Sequence, residues 1–208
     1  MKLTSLSARE LIAAFRSTNP TPGGGSAAAL AGAVGAALLA MVGGMPKNRA
    51  ASEEDVDRLE AAAARCRTFS DALLDLVDRD SEAYDAVVAA YRLPKGSDAE
   101  RQERTARVQS AIKQAAEAPL ETMRRVAEAL EAAAVIGRFG NANAASDVEV
   151  ALEMLTAAER GARANVEINL ETVTDASYVE HMRSEVARIA EQCRTEVSAA
   201  RTAASHQG

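Results

Sequence analysis

From Ser17 to Pro46 the chain carries no charged residue, and most of that stretch is Ala and Gly. A helix made of it has no polar face to offer water, so other parts of the protein must surround it. Gly32, Gly35 and Ala36 fall on one side of this helix and would let a neighbour approach closely. The run opens with Asn19-Pro20-Thr21-Pro22-Gly23-Gly24-Gly25-Ser26. Pro22 fixes its own φ and pushes Thr21 into an extended conformation. The three glycines put no side chain in front of their amides and can adopt conformations closed to other residues. A helix starting there presents unpaired donors and a positive dipole end, which suit an anion or an electron-rich ring. The competing reading is a tight turn before a closely packed helix. A membrane span is disfavoured, because Ala and Gly contribute little to insertion and Gly- or Pro-containing breaks flank the run.

The 208 residues are enough for one domain, 1–208, with a substantial core. Aromatic and β-branched runs are scarce, which favours helices. A net charge of -6 argues against nucleic acid as a partner. Cys66, Cys193, His181 and His206 are isolated from one another in sequence. They read as reduced thiols and ordinary imidazoles in a reducing, cytoplasmic compartment, with no metal site. Met1 to Ser5 is not followed by a leucine-rich signal core.

Ser7-Ala8-Arg9-Glu10 is a capping box, so a short first helix runs to about Arg16. The small-residue helix ends near Gly43-Gly44. Ser52 caps a third helix, with Glu53, Glu54 and Asp55 in its first turn, reaching Tyr91. Asp98 starts a fourth, Pro119 interrupts it, and a fifth runs to Ile136. After Gly137 and Gly140 a sixth reaches about Val173, and Thr174 with Asp175 opens the last. The expected architecture is all-α, a single-domain antiparallel multi-helix bundle.

On the third helix an apolar line reads Leu73, Val77, Asp80, Tyr84, Val87, Tyr91. Asp80 stands where an apolar residue is expected, and a buried carboxylate has a pKa raised toward the range useful for proton transfer. A carboxylate satisfied by a helix end or an arginine is the alternative. Asp71, Asp75, Asp78, Glu82 and Asp85 form a separate stripe, read as solvated. Asp147 is the second candidate, although Ser146-Asp147-Val148-Glu149 is also a capping box. Asn141 and Asn143 before it could order a ligand, as could Asn165, with Asn169 one turn later. Asp147 and Asn165 are roughly 27 Å apart along one helix, so only a long ligand or two subunits could use both. Lys95, Lys47 and Arg49 could neutralise an anionic tail. No catalytic Ser-His-Asp set, Cys-His pair, phosphate loop or dinucleotide fingerprint is present.

Three segments together resemble the cyclodeaminase/cyclohydrolase family of folate enzymes. They are Pro20 to Ala37, Asp80-Ser81-Glu82-Ala83-Tyr84-Asp85 through Lys95, and Gly140 to Asp147 followed by Asn165-Val166 and Asn169-Leu170. The resemblance implies an all-helical, usually dimeric subunit acting on one-carbon folates, with no cofactor beyond the tetrahydrofolate-derived substrate. It marks the glycine turn, Asp80 and the Asn141–Asp147 helix start. Taken with the reading of the residues, the expected catalytic groups are Asp80 and Asp147, and the expected substrate contacts are Pro22, Gly23, Gly24, Gly25, Ser26, Lys47, Arg49, Lys95, Asn141, Asn143 and Asn165. Family members carry a Leu-Thr-x-Gly-Lys-Lys-Lys-Tyr-like stretch after the small-residue helix; here it is Met45 to Ser52, with Lys47 and Arg49 keeping basic character. With no formiminotransferase domain alongside, hydrolysis of 5,10-methenyltetrahydrofolate is the expected reaction. Formimidoyltetrahydrofolate cyclodeamination is the alternative, and a non-catalytic folate binder or structural dimer the remaining ones.

Overall fold

The structure, a computed structural model, describes residues 2–205; His206 lies outside the described residues. It contains six α-helices: α1 (Ala8–Phe15), α2 (Gly24–Gly43), α3 (Glu53–Tyr91), α4 (Asp98–Phe139), α5 (Ala145–Leu170) and α6 (Ala176–Ser205). Two short 3-10 turns, Leu3–Ser5 and Ala142–Ala144, complete it, and no strand occurs among the described residues. Side-chain caps begin the helices at Ser7, Ser52 and Ser97. The capping box expected at Ser146–Glu149 does not form, because α5 already starts at Ala145 with Ala144 as its uncapped N-cap. Ser7 and Ser97 form full capping boxes with Glu10 and Glu100, and Ser52 accepts from the Asp55 amide.

Helices α2, α3, α4 and α5 close into an antiparallel four-helix ring, and α6 packs mainly against α4. The ring is narrow at α2, because glycine removes the side chains that would hold its neighbours off. A Cβ on Gly35 would lie 2.9 Å from Leu155 Cγ, and one on Gly43 would lie 2.8 Å from Ala63 Cβ. The core of Leu39, Leu73, Leu120, Met123, Leu130, Leu152 and Leu155 is fully buried. By length and composition α2 alone, among the described residues, could cross a membrane. Its sides are buried against α3 and α5.

The structure corrects two expectations. Pro119 does not end a helix: α4 runs through it without a break. Proline has no amide to give the carbonyl of Ala115 one turn back. Asn169 of α5 fills that place, its Nδ2 donating to Ala115 O at 3.2 Å. Asp78 is not solvated but 6 % exposed, and accepts from the Leu3 amide at 2.5 Å and the Thr4 hydroxyl at 2.6 Å. It therefore fastens the N-terminal segment to α3.

Asn169→Ala should lower unfolding free energy by about 1–2 kcal/mol, because it orphans a carbonyl in the bundle. In a Pro119→Ala background, where an amide returns, the same change should cost much less. Urea denaturation of the four proteins measures this coupling; equal costs in both backgrounds would refute it.

Candidate active site

The glycine turn and Asp80 meet at the start of α2. The Thr21–Pro22 peptide is cis, and Gly23 is the extended N-cap, with no side-chain cap bond. No glycine among the described residues has a positive φ, so these glycines are not there for left-handed backbone. They are there for space. A Cβ on Gly25 would collide with the Asp80 carboxylate, 2.6 Å from its Cγ, and one on Gly24 would sit 3.3 Å from Asn165 Nδ2.

The Asp80 carboxylate thus lies over the first turn of α2. Ser26 Oγ, fully buried, donates to Asp80 Oδ2 at 2.9 Å and lies 3.0 Å from Ser81 Oγ. The Ser26 amide also bonds to this carboxylate. Burial pushes the Asp80 carboxyl above the usual carboxylate range, while the hydroxyl and amide of Ser26 pull it partway back. A carboxylate held this way has a fixed orientation and a heightened proton affinity, the two properties a general base needs. Ser81, named in the matching segment, had no role assigned to it from sequence, although it directly follows Asp80. Asn165, half-buried, donates to Gly161 O at 2.8 Å and covers Gly24 from the α5 side.

Other marked residues lie elsewhere. Helix α2 spans about 30 Å, and Lys47, Arg49, Asn141, Asn143 and Asp147 cluster near its far end. There Arg49 Nη2 donates to Gly137 O at 2.6 Å and the Arg49 amide to Phe139 O at 2.7 Å. Asn141 Nδ2 donates to Pro46 O at 2.7 Å, and its Oδ1 accepts from the Asn143 amide at 2.9 Å. Within the chain these bonds shape the loop between α2 and α3 and the entry to α5. A cavity of about 1110 Å³ opens beside Arg49, Arg138, Phe139 and Arg194. Asn143 is exposed and Asp147 half-buried. Lys47 is exposed with a left-handed φ of 57°. Lys95 is exposed in the turn after α3, its carbonyl accepting from Arg101 at 3.2 Å. Burial pushes both Cys66 and Cys193 thiols up to about 12, so neither is poised as a nucleophile.

Comparison with known proteins adds to this geometry. The formiminotransferase-cyclodeaminase family model matches residues 7–188. A methenyltetrahydrofolate cyclohydrolase of Methylorubrum extorquens is 36% identical over 170 residues, 82% of each chain. The formimidoyltransferase-cyclodeaminase of Rattus norvegicus is 32% identical over 200 residues, 94% of this chain but 36% of the rat protein. A formiminotetrahydrofolate cyclodeaminase of Thermotoga maritima superposes with a TM-score of 0.81 at 27% identity, covering 99% of this chain and 98% of the other. The chain with Asp80 seated on the glycine-opened end of α2 therefore belongs to the formiminotransferase-cyclodeaminase family.

Proposed function

We propose that this protein is a one-carbon folate enzyme that hydrolyses 5,10-methenyltetrahydrofolate to 10-formyltetrahydrofolate, with Asp80 as the general base and acid. The observation that carries the reading is the Asp80 carboxylate, half-buried and aligned by Ser26 at the open end of α2. Its similarity to the Methylorubrum cyclohydrolase extends over most of both chains.

The methenyl carbon belongs to a cationic amidinium and is already electrophilic. Asp80 takes a proton from water as the water oxygen bonds to that carbon. When the bond from carbon to the ring nitrogen breaks, the same carboxyl returns that proton to the nitrogen, and the remaining hydroxyl proton passes to solvent as the formyl carbonyl forms. The substrate's positive charge favours an ionised Asp80 beside it. The first amides of α2, lacking a side-chain cap, suit a ring oxygen or a carboxylate of the folate. Asn165 lies against Gly24 beside the same turn. Lys95, in the turn after α3, is the cation proposed for the anionic tail. This reading calls for no group beyond the folate and places the protein in the cytoplasm, as a homodimer.

Cyclodeamination is favoured by one observation, the near-complete superposition on the Thermotoga cyclodeaminase. In that reaction a folate nitrogen attacks the formimidoyl carbon, and Asp80 would deliver a proton to the departing ammonia. Ammonia release from formimidoyltetrahydrofolate, measured beside the decay of methenyltetrahydrofolate absorbance, separates the two. Ammonia without methenyl decay would overturn the hydrolytic reading.

Asp80→Asn should keep the fold and the Ser26 bond yet lose turnover by about 10²–10⁴-fold. Its full activity in the absorbance assay would remove Asp80 from the mechanism. For Gly25→Ala the added methyl must displace the carboxylate, and turnover should fall by at least about tenfold, one misplacement step. Wild-type turnover should have an acidic limb above the usual carboxylate range. Stability carries the matching sign: with its folded pKa raised, the group binds more protons in the folded state, so stability falls as pH rises through that window. Thermal melts of Asp80→Asn across this range should show a weaker fall.

A further inference from the structure

A hydroxyl inside an α-helix has a ready acceptor in the carbonyl one turn before it. Thr68, Thr105, Thr122, Thr156 and Thr195 all use theirs. Ser81 of α3 does otherwise. Its Oγ lies 3.0 Å from Ser26 Oγ, across in the first turn of α2.

The direction of that bond follows from the protons present. A serine hydroxyl has one proton to give. Ser26 gives its own to Asp80 Oδ2 at 2.9 Å, so toward Ser81 it is the acceptor and Ser81 is the donor. The three groups form one line, Ser81 to Ser26 to Asp80, with each hydroxyl proton pointing toward the carboxylate. Such a line can also run in reverse. A protonated Asp80 donates to Ser26, Ser26 donates to Ser81, and Ser81 releases its proton outward.

The line has an outer end. Ser26 in its middle is fully buried, while Asp80 and Ser81 are half-buried. Consecutive residues of a helix point about 100° apart, so the exposed parts of Asp80 and Ser81 face different directions. A flat ring lying against Asp80 closes that side to water and leaves the Ser81 side open. Among the described residues no charged side chain offers another way out, since burial and Ser26 set the proton affinity of Asp80.

Hydrolysis needs such an exit, and the inference rests on the hydrolytic folate reading. The methenyl substrate is a cation and the formyl product is neutral, so each turnover releases one proton. The first proton of the attacking water goes to Asp80 and on to the departing ring nitrogen. Asp80 is then ionised again, and the hydroxyl proton of the adduct must leave as the formyl carbonyl forms. We propose that Ser26 and Ser81 form a proton relay, which takes this second proton from Asp80 and delivers it to solvent while the folate still covers the carboxylate. At each serine oxygen one O–H bond breaks and one forms, so both serines end the cycle unchanged. Both act through Asp80.

Ser81→Ala tests the relay, because it removes the outer hydroxyl and leaves the Ser26 bond to Asp80. In the methenyl absorbance assay at low buffer concentration, kcat should fall by about tenfold or more, with KM within about twofold of wild type. Added imidazole, a small proton carrier, should restore kcat in the variant, which a merely displaced side chain would not allow. A kcat equal to that of wild type, or a loss that imidazole does not restore, overturns the proposal. NMR titration of the Asp80 carboxyl carbon tests the line without turnover. Its pKa should rise in Ser81→Ala, since the outer hydroxyl supports the ionised form through Ser26; an unmoved carboxyl overturns the proposal. If wild type shows no methenyl decay, the folate reading fails and the relay loses its proton; a raised carboxyl in Ser81→Ala would then leave the hydroxyl line standing without that use.

Discussion

No side chain fits between Gly25 and Asp80, and the rest of the molecule is arranged around that closeness. Because α2 begins with glycine, α3 can lay a carboxylate across its first turn. Because the following residues are alanine and glycine, α3 and α5 can stay close along the length of α2. The same small side chains that allow tight packing also leave little apolar area per residue to bury. The core compensates with leucines from α3, α4 and α5, which carry the larger volumes.

The carboxylate also performs a structural service. Helix α2 has no side-chain cap of its own, and Asp80 takes the Ser26 amide and hydroxyl that a cap would otherwise leave to solvent. Binding the helix start and moving a proton are compatible here, since the burial that raises its proton affinity comes from the helix it caps. Asp78, two residues earlier on α3, has the same chemistry but a different task, pinning the chain near Leu3.

Much of this was legible in the sequence because it depends on near neighbours. Serine caps, acidic first turns and the break in the apolar line at Asp80 are local signals, and the helices they implied are present. What was hidden depends on residues far apart in the chain. Asp78 looked like one more member of an acidic stripe, because its partners lie 74 and 75 positions away. Pro119 looked like a break, because the amide that repairs its turn belongs to a side chain on another helix. The glycines of the turn looked like sources of unusual backbone angles, whereas their φ values are ordinary and their role is to make room. The site residues followed the same division: the turn and Asp80 come together, while the Asn143–Asp147 segment lies at the other end of α2.

The bond from Asn169 to Ala115 has a consequence for alignment. Helices rich in alanine present nearly uniform surfaces, and such surfaces can slide by one turn with modest loss. A single polar pair that is satisfied in only one position removes that freedom. Proline at 119 creates the acceptor, and Asn169 is the donor that reaches it from α5. Asn165 lies one turn before Asn169 on the same helix and rests against Gly24. The proline therefore acts as a ruler: by fixing where α5 stops along α4, it sets which residue of α5 arrives at the mouth of α2.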